Sequence, residues 1–73
     1  MKITIRAGTQ AASCNEHGTF DSNIRPNIYS CEQEAEVVKS GYTPAKGYSK
    51  GYMWYVVRYW GGYSFVTSRD IIT

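Results

Sequence analysis

Two runs dense in aromatic and β-branched residues, YMWYVVRYW at 52–60 and YSFVTSRD at 63–70, flank the pair Gly61-Gly62. Such side chains fit the half-buried, pleated surface of a strand, and a Gly-Gly pair supplies a two-residue turn. The segment is therefore predicted to form a hairpin, 52–60/63–70, around which the rest of so short a chain must fold. With the two glycines in the turn, Trp60 pairs with Tyr63, Arg58 with Phe65, Val56 with Thr67 and Trp54 with Arg69, all on one face. Met53, Tyr55, Val57 and Tyr59 share the other face with Ser64, Val66, Ser68 and Asp70. The second face has the Val57/Val66 pair, small residues and no cation, and is assigned to the core. A one-residue slip of register would exchange the two faces.

The remaining elements follow from local patterns. Ile3 and Ile5 alternate with Lys2, Thr4 and Arg6, the period of a strand with one buried face, so a first strand is expected at 2–6. Residues 7–18 are small or polar and read as a long loop. A second strand is expected at about 19–25, ending near Pro26, which cannot donate to a ladder. In SCEQEAEVVKSG, Ser30 and Gln33 have the spacing of a capping box, acids crowd the first turns, Lys39 sits in the last and Gly41 can terminate it. This predicts a helix at 31–40 with Cys31, Ala35 and Val38 on one face. GYTPAKGYSKG has no hydrophobic period and reads as a loop, 41–51. The expected fold is α+β: a single domain, residues 1–73, of β-β-α-β-β order, with a mainly antiparallel sheet and one short helix packed on one face.

Size limits what this fold can bury. A chain of 73 residues hides only about 60% of the surface its unfolded form exposes, so its core is thin and a homodimer is one way to add to it. The start MKITIR has no apolar run of a signal peptide, and no stretch is long enough to span a bilayer. The expectation is a cytoplasmic protein with no membrane partner, in which Cys14 and Cys31 stay reduced.

Charge and aromatic residues gather in one half. Lys39, Lys46, Lys50, Arg58 and Arg69 face Asp70 alone after residue 36, whereas acids outnumber bases before it. Most of the aromatic residues also lie in that second half. The first hairpin face and the adjoining loop thus offer Tyr42, Lys46, Tyr48, Lys50, Trp54, Arg58, Trp60, Tyr63, Phe65 and Arg69 as candidate binding residues. Trp, Tyr and Arg dominate protein-binding hot spots, and the same residues with Lys make a stacking and phosphate-tracking platform for single-stranded nucleic acid. The plain alternative is that aromatics simply favour strands and that Arg pairs with a neighbouring ring. So much contiguous aromatic surface is uncommon on a monomer, which favours a binding role.

Catalytic chemistry has little support. Cys14 and His17 have a metal-like spacing, and Cys31 could be a third ligand, but nothing completes a tetrahedral site. Cys14 with His17 as nucleophile and base lacks an orienting third group beyond Glu16. Glu32, Glu34 and Glu36 read as a solvated helix face, and GYSKGY lacks the spacing of a phosphate loop. No enzyme, cofactor or metal is expected.

The order of elements, from MKITIR through SCEQEAEVVKSG to YMWYVVRYWGGYSFVTS, resembles that of small phage-encoded proteins that disable host systems, including some anti-CRISPR proteins. The resemblance implies a stoichiometric inhibitor that blocks a host protein or nucleoprotein complex. A single-stranded nucleic-acid-binding protein and a self-assembling structural module are the other readings of the same surface. Tyr48, Trp54, Arg58 and Trp60 are the expected anchors, with Lys46 and Lys50 as steering charges.

Overall fold

A computed structural model describes residues 1–20, 25–48 and 50–72. Among the described residues there are seven strands, β1 (Lys2–Ile5), β2 (Thr9–Cys14), β3 (Asn27–Tyr29), β4 (Gln33–Thr43), β5 (Tyr52–Tyr59), β6 (Gly62–Thr67) and β7 (Ile71–Ile72), and one 3-10 turn at Ser68–Asp70. They make one antiparallel sheet in the order β3-β2-β6-β5-β4-β1-β7. The strands β1 and β2 are far apart in this order, yet only Arg6, Ala7 and Gly8 join them. A link that short requires the sheet to curl until its two sides meet, which gives a half-barrel. Backbone bonds fasten the junction: Arg6 N–H donates to the Asp70 carbonyl at 2.8 Å and Gly8 N–H to the Tyr29 carbonyl at 2.6 Å.

The concave side holds the core. Ile5, Ala11, Tyr29, Ala35, Val57 and Val66 form one buried cluster, with Ile3, Val37, Tyr55 and Tyr59 packed against it. The Val57/Val66 face of the hairpin is therefore the inner one. Fully burying valines such as Val57 and Val66 (both 0% exposed) contributes roughly 2 kcal/mol each.

The α+β expectation is overturned: the segment 31–40 lies mostly within β4, and among the described residues no α-helix packs on the sheet. In β4 the residues Gln33, Ala35 and Val37 turn inward while Glu34 and Glu36 stay exposed, the period of two that a one-sided strand requires. Its ladders are two-sided, to β1 from Ile5↔Gln33 to Lys2↔Glu36 and to β5 from Val37↔Val57 to Thr43↔Tyr52. Pairing on both edges outweighs a local capping pattern that is worth only about 1 kcal/mol. A bulge between Val37 and Lys39 interrupts the alternation, and Val38 is the residue left over. The segment read as a loop at 7–18 contains β2, whose Thr9 and Ala11 point into the core. Small, polar residues give no strand signal in isolation, and β2 exists because β3 and β6 pair with it.

Of the strand expected at 19–25, residues 21–24 lie outside the described residues; Phe20 makes a single bridge to Cys14, and β3 begins after Pro26. The loop expected at 41–51 starts later, because β4 runs to Thr43. The hairpin is present with its register moved: Tyr59 opposes Gly62, Arg58 opposes Tyr63, Val56 opposes Phe65 and Trp54 opposes Thr67. The displacement is by two residues, so every side chain keeps its face. Two constraints fix it. The ladder to β2 pairs Phe65 with Ala12 and Tyr63 with Cys14, and the Asp70 carboxylate accepts the Thr67 N–H at 3.0 Å, ending β6 there. The turn is consequently Trp60-Gly61.

Candidate functional site

On the convex side of β5 and β6 the sequence places Trp54, Val56 and Arg58 across from Thr67, Phe65 and Tyr63. The middle of this face is covered. A tight turn after β2, in which the Asn15 side-chain oxygen accepts the His17 and Thr19 N–H groups at 2.9 and 3.0 Å, folds back over Val56. Gly18 stands at a φ of 88°, and a Cβ there would lie 3.3 Å from Val56 Cγ2. Glycine suits both the left-handed backbone and the close approach. Lys39 Nζ donates to the His17 carbonyl at 3.4 Å and ties the turn to β4. Val56 is thereby fully buried on the outer face.

Beside Val56 runs a row of rings. Phe20 meets Phe65 edge-on with centroids 4.9 Å apart, and Phe65 stacks on Trp54 at 5.6 Å with planes 22° apart. The indole then lies across Gly41, where any side chain would collide with it. Trp54 and Phe65 are half-buried and serve as a small outer core as well as surface. The open aromatic face expected from the sequence is thus divided by this covered centre into two exposed ends.

One end is the hairpin tip. Trp60 is 87% exposed and adopts a φ of 48°, the one positive φ outside glycine among the described residues. Arg58 lies over the Tyr63 ring, 5.9 Å from its centroid, and its Nε is 3.9 Å from Glu36 Oε2. Arg58 therefore has two intramolecular partners, each weak at an exposed site.

The other end, about 25 Å away along β5 at the usual rise per residue, is an open cleft of about 800 Å³ among Tyr48, Lys50, Gly51, Tyr52, Thr67, Ser68 and Arg69. Tyr48, Lys50 and Arg69 belong to the residues expected from the sequence; Tyr52, Thr67 and Ser68 do not. The signal that would have found them is the register, since pairing Trp54 with Thr67 sets the 68–70 turn against the loop before β5. Tyr42 opposes Met53, on the inner side of the sheet, and folds its ring over Gly51. Lys46 is exposed in the same loop but does not line the cleft. The structure thus separates Arg58, Trp60 and Tyr63 from Tyr48, Lys50 and Arg69.

The cysteines and the lone histidine outside these ends are divided between core and solvent. Burial pushes the Cys14 thiol up, which suppresses the thiolate a nucleophile needs. Cys31 is exposed, and the Glu16–His17 contact at 3.7 Å lies in solvent. Among the described residues no group of three His, Cys, Asp or Glu side chains converges as metal ligands would, and no helix is long and apolar enough to cross a membrane. Comparison with protein-family models, with curated proteins and with solved structures finds no match.

Proposed function

We propose that this chain is a small, non-enzymatic binding protein that docks its hairpin tip on a macromolecular partner, as a stoichiometric inhibitor of a host protein or nucleoprotein complex would. On that reading it acts in the host-cell cytoplasm. The observation that carries it is Trp60. Its backbone conformation is one that glycine adopts freely and a bulky residue does not, its ring is 87% exposed, and Gly61 stands one position away. A side chain held at such a position gains little for folding, whereas a large rigid ring at a protruding tip, flanked by Tyr63 and Arg58, is the composition of an interface anchor.

The test compares the wild-type chain with Trp60→Gly, a substitution the turn accommodates. Both serve as bait in host lysate, and the partner retained by the wild type is purified and titrated with each. At least tenfold weaker binding of Trp60→Gly, with unfolding midpoint unimpaired and little dependence on salt, is the expected result. A partner held equally by both proteins would sink the proposal.

A further inference from the structure

The cleft at the far end of the hairpin brings three kinds of group together: the cations Lys50 and Arg69, the hydroxyls of Thr67 and Ser68, and the phenol rings of Tyr48 and Tyr52. Neither cation has an acidic partner among the described residues, whose ion pairs are Lys2–Glu34, Glu16–His17 and Arg58–Glu36. Asp70, next to Arg69 in the chain, is occupied: its Oδ2 accepts the Thr67 N–H at 3.0 Å and lies 3.4 Å from Thr67 Oγ1. Tyr48 projects fully into solvent, so its ring is free on both faces.

We infer that this cleft binds a nucleotide unit, its phosphate held by Lys50 and Arg69 with the Ser68 hydroxyl, and its base laid against Tyr48 or Tyr52. Each alternative ligand leaves part of the site idle. An acidic peptide satisfies the cations but not the rings, and an apolar molecule leaves the two cations and the Ser68 hydroxyl without partners. A phosphate joined to a flat ring uses all three, and base stacking on an aromatic side chain contributes about 1 to 3 kcal/mol by alanine substitution. The chemistry is shared by a free nucleotide and by one link of a single strand. The cleft is open and adjoins the half-buried Trp54 ring through the Trp54↔Thr67 pair, so a strand can continue as far as that ring, short of the covered Val56. The inference goes beyond docking at the tip and stands on different residues.

The experiment uses the full chain carrying Trp60→Phe, which leaves Trp54 as the sole indole and places the reporter beside the cleft. Oligothymidylate, thymidine 5′-monophosphate, pyrophosphate and oligoglutamate are titrated at 50 and 200 mM salt, with the amide resonances of Gly51 and Ser68 as a second readout. On a single strand, Lys50 and Arg69 each neutralising one of two successive phosphates predicts an affinity loss of about sevenfold over that salt range, and Lys50→Ala or Arg69→Ala should each reduce it to about 2.6-fold. Oligothymidylate binding far more tightly than the monophosphate assigns the site to a strand, and comparable affinities assign it to the free nucleotide. The inference is overturned by no binding at low salt, by a salt dependence that neither variant changes, by pyrophosphate matching the nucleotide, or by oligoglutamate matching the strand. Trp60→Gly should leave these titrations unchanged, so failure here and failure of tip docking are told apart.

Discussion

Trp60 separates what a residue does for the fold from what it does at the surface. In the turn Trp60-Gly61 the first position is left-handed, with a φ of 48°, where an L-residue pays roughly 1 to 2 kcal/mol that glycine avoids. The exposed edge-on contact with Tyr59, centroids 6.5 Å apart, returns about 0.5 kcal/mol at most. Trp60→Gly and Trp60→Ala both delete the ring, and only the second keeps the backbone penalty. Glycine at this position should therefore unfold about 1 kcal/mol later than alanine, a difference of about 4 to 8 °C in melting temperature for a domain this size. Equal midpoints in thermal unfolding would mean that the turn relaxes out of the left-handed conformation once the indole is gone.

At the scale of elements, the strands that were legible in the sequence are those whose own side chains specify them, and the others exist through their neighbours. β1 and the 52–67 hairpin carry β-branched and aromatic alternation, and their faces could be read, because a displacement of two residues leaves the inward set unchanged. β2 is TQAASC, with no intrinsic strand preference to detect. β4 contains five residues, Gln33 to Val37, in clear alternation, but the Ser30…Gln33 spacing and the run of acids imitate a helix start. The candidate site was legible in composition and not in arrangement. Tyr48, Lys50 and Arg69 could be named, whereas the turn over Val56 that splits the face depends on where β2 sits. This placement of β2 has a sharp test, because Cys14 lies directly opposite Tyr63 across the β2–β6 ladder. Paired residues of antiparallel strands have Cα atoms about 4.5 to 5.5 Å apart, within reach of a disulfide. Tyr63→Cys should lose both its new thiol and that of Cys14 on mild oxidation, leaving Cys31 the only group that an alkylating reagent modifies. Thr67→Cys, which opposes Trp54 rather than β2, should keep all three thiols. If the chain at 7–18 were a mobile loop, the two variants would oxidise alike.

For the whole molecule, the decisive interaction is the one that holds the curl closed from inside. β3 and β5 are separated in the sheet by β2 and β6, yet the rings of Tyr29 and Tyr59 meet edge-on at 5.0 Å and the Tyr59 hydroxyl donates to the Ile28 carbonyl at 3.3 Å. Tyr29 is 1% exposed and its hydroxyl has no hydrogen-bond partner of adequate geometry. Burial raises its pKa, Ser64 nearby offsets part of this, and the Tyr59 and Cys14 side chains add to the rise. Below the ordinary phenol value of about 10, Tyr29 is protonated both folded and unfolded, and its stabilising effect is fully present. As pH climbs past that value the unfolded chain releases its proton first, so stability falls until the higher folded pKa is reached. Cys14 acts in the same direction, its thiol also being raised by burial, and a Cys14→Ala background removes it from the comparison. In that background Tyr29→Phe should be at least as stable as its parent at pH 7, since it deletes an unpartnered buried hydroxyl worth about 1 kcal/mol or more. Between pH 9.5 and 11 its urea midpoint should decline less steeply than the parent's. Parallel declines would place the alkaline sensitivity on other groups, and the curl of the half-barrel would then owe nothing to keeping the Tyr29 phenol neutral.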